Sequence, residues 1–149
     1  MSNYFWKPCC CCFCLETCPR DWAPVINSSC YGFSDNRLPW DSAKSTCEES
    51  GAKLVVLNTE AEQQALAPLV ACHTWIGLHR DLSNTSRWLW VDGSNTDYTN
   101  WYKGEPNGAV GTGDCVLLAR YTPPSSYSSK WFNLRCTSSF NYVCEISGE

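Results

Sequence analysis

Glu105-Pro106-Asn107-Gly108-Ala109-Val110-Gly111-Thr112-Gly113-Asp114-Cys115 is the stretch on which the reading of this chain turns. It is answered by Trp131-Phe132-Asn133-Leu134-Arg135-Cys136, in which the tryptophan stands five residues before the cysteine. A carboxylate, a turn proline and a carboxamide stand in succession at its head. Residues 108 to 113 carry no charge, and their glycines leave the loop flexible unless an ion organises it. The same glycines do not make a phosphate loop, because the lysine, the preceding strand and the following helix are all missing.

Outward from this loop, 149 residues suffice for one compact domain with a core and fall short of two. Eight Trp, seven Tyr and five Phe argue for a packed, strand-rich body with much irregular chain. The net charge of -4 comes with no run of Lys or Arg, so the phosphate-neutralising footprint of a nucleic-acid binder is absent. Twelve cysteines approach the density of a disulfide scaffold, which places the mature domain in an oxidising, extracellular or lumenal compartment. No run of apolar residues is long enough to span a bilayer, and Met1 to Leu15 reads poorly as a signal peptide, so the export route is not visible. Asn27-Ser28-Ser29 and Asn84-Thr85-Ser86 are sequons that would suit a secreted glycoprotein.

The chain divides into a Cys-rich N-terminal segment, 1–17, and a domain, 18–149. Cys9, Cys10, Cys11, Cys12 and Cys14 are too crowded for all of them to ligate one tetrahedral metal or for all to form unstrained local bridges. Interchain disulfides, acylation near a membrane, or a start truncated from a longer protein remain as readings. In the domain, Trp22 to Val25 and Cys30 to Phe33 form a predicted hairpin. Trp40, Ala43 and Cys47 share a helix face that stops at Gly51. Lys53 to Leu57 is a predicted strand. Thr59 and Glu62 make a capping box for a second helix whose predicted inner face is Ala61, Ala65 and Leu69, shortened by Pro68. Strands follow at Trp75 to Leu78, Trp88 to Val91, Cys115 to Ala119, Lys130 to Leu134 and Phe140 to Ile146. The class is α+β: two helices, then small antiparallel sheets around a long loop.

The order of these landmarks resembles that of a C-type-lectin-like domain of the long form. The resemblance rests on Cys18-Pro19 with Trp22, Cys30-Tyr31 with Phe33, Trp40 to Cys47, Trp75-Ile76-Gly77-Leu78, Trp90 with Asp92-Gly93, Asn100-Trp101, Glu105-Pro106-Asn107, Cys115, Trp131, Cys136 and Tyr142 with Cys144. It implies the disulfides Cys18 with Cys30, Cys47 with Cys144, and Cys115 with Cys136. Cys72 is left over, as a buried free thiol or as a partner for the N-terminal cluster or another chain. A disulfide-linked oligomer through Cys9, Cys10, Cys11, Cys12, Cys14 or Cys72 is one expectation.

In sugar-binding relatives, the resemblance implies, a calcium ion is held at the positions of Glu105, Asn107, Gly113, Phe132 and Asn133. This chain keeps Glu105 and Asn107, offers Asn133 as a neutral substitute for a carboxylate, and has nothing at Gly113 or Phe132 that can ligate. An auxiliary site keeps Asp81 and Asp114, while Thr85, Gly108 and Gly113 stand where carboxylates are expected. Both sites are therefore expected to be weak or vacant, with Ca²⁺ at low affinity as the one cofactor to consider. Candidate ligand-binding residues are Glu105, Asn107, Asn133, Phe132 and Trp101; Tyr102 and Tyr121 could extend an apolar face.

Catalysis is not indicated. His73 and His79 have no serine or cysteine nucleophile motif to serve, and the paired carboxylates Glu48 with Glu49 and Glu60 with Glu62 belong to helix surfaces. The expected function is non-catalytic, extracellular recognition of a protein or other surface, independent of calcium. The alternative is binding of mannose-type glycans, which the Glu105-Pro106-Asn107 triplet resembles.

Overall fold

The computed structural model describes residues 18–19, 21–24 and 29–147; the cysteine cluster at 9–14, the rest of segment 1–17 and Asn27 of the first sequon lie outside the described residues. The elements run β1 (Ala23–Pro24), β2 (Cys30–Phe33), α1 (Trp40–Glu49), β3 (Lys53–Leu54), α2 (Glu60–Leu66), β4 (Thr74–Arg80), β5 (Trp88–Trp90), β6 (Cys115–Leu118), β7 (Trp131–Leu134) and β8 (Asn141–Ile146). Strands pair in the order β1-β2-β8-β4-β6-β7, with β3 added to β8 and β5 to β4. Among the strand pairs of the described residues only β4 with β8 is parallel, and β8 thus joins β2 and β3 to β4.

Helix α1 buries Trp40, Ala43 and Cys47, the face that the spacing predicts. It ends in a Schellman motif: Gly51, at φ 73°, donates to Glu48 O and Ala52 donates to Cys47 O. Thr59 caps α2 through Glu62 N at 3.2 Å, as the capping box predicts. The inner face of α2 differs from expectation. Gln63, Leu66, Ala67 and Val70 are buried, while Ala61 is exposed and Leu69 stands 47% exposed. The cause is Trp131, whose Nε1 donates to Gln63 Oε1 at 2.9 Å inside the core. A satisfied amide is admitted where periodicity counts a polar residue as outward-facing. The chain then passes through a 3₁₀ turn, Ala67–Leu69, with Pro68 in its first turn.

The predicted strand at 53–57 pairs as a strand only over Lys53–Leu54, yet Val55, Val56 and Leu57 stay buried. Gly77 N donates to Val55 O, and a Cβ at Gly77 would lie 2.8 Å from Leu54 O, so only glycine lets β4 approach so closely. Two indoles lock the layers: Trp40 Nε1 donates to Ile76 O at 2.8 Å, and Trp75 Nε1 to Leu38 O at 2.9 Å. All three expected disulfides form, Cys18–Cys30, Cys47–Cys144 and Cys115–Cys136. The second closes 97 residues of sequence, worth about 4 to 5 kcal/mol in the chain-entropy model. Cys72 is a free thiol, and it is exposed rather than buried.

Candidate functional site

Strand β7 carries the site because its pleat alternates: Trp131 and Asn133 point inward and Phe132 outward. The long loop is tied to the edge of this strand by Trp131 N to Asn100 O and Tyr102 N to Trp131 O, both 3.0 Å. Trp101 packs edge-on against Trp88 and Trp131, with ring centroids at 5.2 and 5.7 Å, and so sits half-buried in the aromatic core. Phe132 instead stacks on Tyr102 at 5.0 Å with 22° between the ring planes, which leaves a two-ring face beside the loop. Tyr121 belongs elsewhere: it lines a groove of about 460 Å³ with Gln63, Pro68, Tyr98 and Ser129.

At the loop tip the Glu105-Pro106 bond is cis. Asn133, 5% exposed, holds this tip. Its Oδ1 accepts from Asn107 N at 2.9 Å, and its Nδ2 donates to Asn107 O at 2.5 Å and to Gly113 O at 2.8 Å. The Glu105 carboxylate accepts from Asn107 Nδ2 at 2.9 Å. A Cβ at Gly113 would stand 2.7 Å from Asn133 Nδ2, so the space that a longer residue at 113 would need is taken up by the amide. The structure therefore brings Glu105, Asn107, Gly113 and Asn133 together, as one hydrogen-bonded unit with a single carboxylate.

The auxiliary pair is not brought together in that way. Asp81 Oδ1 accepts from Ser83 N at 2.8 Å and closes its own turn. Asp114 accepts from Arg80 Nε at 2.8 Å and from Gly111 N at 2.9 Å. Arg80, at the end of β4, also donates through Nη1 to Thr85 O at 2.9 Å and through Nη2 to Gly113 O at 3.2 Å and Gly108 O at 3.4 Å. Its guanidinium lies 4.8 Å from the Trp88 ring centroid. The loop that glycine content alone reads as flexible is closed by hydrogen bonds: Thr112 N and Oγ1 both donate to Ala109 O, and Gly108 and Gly111 take positive φ. Arg80 is the residue that sequence reasoning misses. Its only signal is a cation ending a strand beside Asp81, and no spacing links 80 to 114.

The histidines have structural partners: His73 Nδ1 accepts from Arg120 N at 3.1 Å, and His79 packs on Trp40 with centroids at 5.2 Å. Burial, with the Arg120 charge, lowers the His73 pKa. Among the described residues, no group of three or more His, Cys, Asp or Glu is placed to share a metal ion.

A family model described as Lectin C-type domain matches residues 36–146. The chain belongs to the C-type lectin domain family. The domain is 34% identical to mouse C-type lectin domain family 4 member G over 138 residues, which cover 87% of this chain and 43% of that protein. It is 35% identical to mouse CD209 antigen-like protein D over 135 residues, covering 87% and 52%. The chain thus spans about half the length of these curated relatives. Among solved structures it is similar to the carbohydrate-recognition domain of the mouse scavenger receptor C-type lectin, at TM-score 0.77 and 32% identity, with 89% of this chain and 98% of that one covered. The lectin domain of murine dendritic cell inhibitory receptor 2, solved with an N-glycan, gives a TM-score of 0.76 at 29% identity, covering 88% and 99%. The family model is that of a lectin domain, and these two similar structures are described as a carbohydrate-recognition domain and as a complex with an N-glycan.

Proposed function

We propose that this domain is an extracellular recognition module that binds a protein or other surface ligand through its long-loop face without calcium. The observation that carries the reading is the Asn133 amide, whose oxygen and nitrogen are committed to Asn107 N, Asn107 O and Gly113 O and so tie the Glu105-Pro106-Asn107 tip to the far end of the loop. A divalent cation at the tip would meet one carboxylate, Glu105, an Asn133 Oδ1 already committed to a backbone N–H, and an Nδ2 group whose donors repel it. Calcium takes about six to eight oxygens and gains affinity with each anionic one, so this donor set fits it poorly. The same holds for Asp81 and Asp114, whose carboxylates are engaged with separate partners. In this reading the contact face is the stacked pair Tyr102 and Phe132, flanked by Glu105, Asn107 and the exposed Val110.

Binding of a mannose-type glycan is the second reading. It is favoured by the retained Glu105 and Asn107 side chains and by relatives whose structures are described as carbohydrate-recognition domains. Glycan arrays run with calcium and with chelator separate the two. Indifference to sugar and calcium together with binding to cell-surface protein supports the first reading, and chelator-sensitive mannose binding overturns it. The disulfide framework suits an exported domain. Among the described residues no helix is long and apolar enough to cross a membrane. Disulfide-linked assembly through Cys72 or the N-terminal cysteines is part of the same proposal; a monomer on non-reducing gels would remove it.

A further inference from the structure

The loop from Gly108 to Gly113 has no hydrophobic anchor: Ala109 is exposed and Val110 stands 49% exposed. Its order must come from polar contacts, and Arg80 makes those at Gly108 O and Gly113 O and also binds Asp114, which holds Gly111 N. Arg80 is 10% exposed at its side chain, and the hydrogen bonds of its guanidinium go to a carboxylate of Asp114 and the carbonyls of Thr85, Gly108 and Gly113, while the Trp88 ring centroid lies 4.8 Å away. These oxygens come from the turn at Thr85 and from both ends of the long loop, at Gly108 and at Gly113-Asp114, which a planar fork with five donors can join at once. Asp114 passes the restraint on, because its carboxylate also accepts from Gly111 N at 2.9 Å. Gly113 O receives Arg80 and Asn133 together, so the fork and the amide at the loop tip share an atom.

We infer that Arg80 is an internal cation for the long loop: a positioning residue whose guanidinium gathers the oxygen cradle of Thr85, Gly108, Gly113 and Asp114 and so pre-forms the recognition face. The inference rests on the calcium-independent reading above and supplies its physical basis. A fixed positive charge at the centre of the cradle repels a second cation, and it holds the loop at any calcium concentration. The face then meets its ligand already ordered, which spares the binding step the entropy of ordering six loop residues.

The test is amide hydrogen exchange on the oxidised full chain, without ligand, read at Gly111 and Thr112 in the loop and at Ile76 and Val116 in the core. Exchange in the wild type is expected to be the same in chelator and in excess calcium. Arg80→Met should speed loop exchange by about 10- to 100-fold while core amides keep their relative protection. Arg80→Lys, which keeps charge but loses the fork, should fall between the two. If Arg80→Met does not fold, Asp114→Asn carries the test: the Arg80 Nε–H resonance should lose its slow exchange and Gly111 its protection. Three results overturn the inference: loop exchange unchanged in a folded variant, Arg80→Lys no better than Arg80→Met, or calcium slowing loop exchange in the wild type. A failed ligand search leaves these rates untouched, so failure of the recognition reading and failure of this inference are told apart.

Discussion

Changing Asn133 to Asp replaces one nitrogen by oxygen and tests the amide at the loop tip almost without steric change. In the wild type, Nδ2 donates to Asn107 O at 2.5 Å and to Gly113 O at 2.8 Å. In the variant, a carboxylate oxygen would face both carbonyls at these distances, with no proton between them. Oδ1 can still accept from Asn107 N, and Gly113 O keeps Arg80 Nη2 at 3.2 Å. The cost is therefore two lost donors plus a desolvated charge at a position 5% exposed, together about 3 to 5 kcal/mol at neutral pH. The sign of the pH dependence follows. The new carboxyl is disfavoured as an anion when folded, so its folded pKa lies above the unfolded value. The penalty is then smallest below the unfolded value near 4, where the protonated acid can donate to one carbonyl, and it grows as pH rises through the folded value. Urea denaturation of the oxidised domain in chelator, followed by tryptophan fluorescence, measures both. A variant within about 0.5 kcal/mol of wild type at neutral pH, or one whose deficit does not shrink on acidification, refutes the amide staple.

Three further outcomes can be checked. Burial pushes the Glu145 carboxyl up to about 7 from 4.5, against a hydrogen bond from Val56 N and the Lys53 charge. Its contribution to stability is full below the unfolded value and is lost as pH rises through about 7, a decline on the order of 3 kcal/mol. Glu145→Gln should flatten that slope in urea titrations between those pH values and stabilise the domain above them; an unchanged slope counts against the assignment. Gly77→Ala places a methyl 2.8 Å from Leu54 O and should lower stability by about 1 to 3 kcal/mol in thermal melts, whereas an unshifted Tm would show that β3 and β4 separate freely. Cys72, exposed and free in the single chain, should react with a maleimide in the folded monomer, as peptide mapping would show; protection of the monomer until unfolding would contradict its exposure.

Much of this architecture is legible in the sequence because cysteines, tryptophans and caps are local and chemically distinctive. Trp40, Ala43 and Cys47 announce α1, Thr59 with Glu62 starts α2, and the cysteines fall where the resemblance places them. What escapes are residues whose role depends on a partner distant in sequence. Gln63 turns inward only because Trp131 donates to it, 68 positions away, and periodicity cannot see that bond. Asn133 is legible as a lost carboxylate, but its second function, as donor to two carbonyls, depends on where the loop backbone lies. Arg80 is hidden for the same reason: its four oxygen partners follow it by 5 to 34 positions.

The proposed formation of the long-loop face without calcium is read out at the loop tip itself. Calcium titrated into the oxidised domain should leave the backbone amide resonances of Asn107 and Gly113 and the side-chain amide of Asn133 in place through the millimolar range. Saturable shifts at these groups with a dissociation constant below about 1 mM would contradict the account.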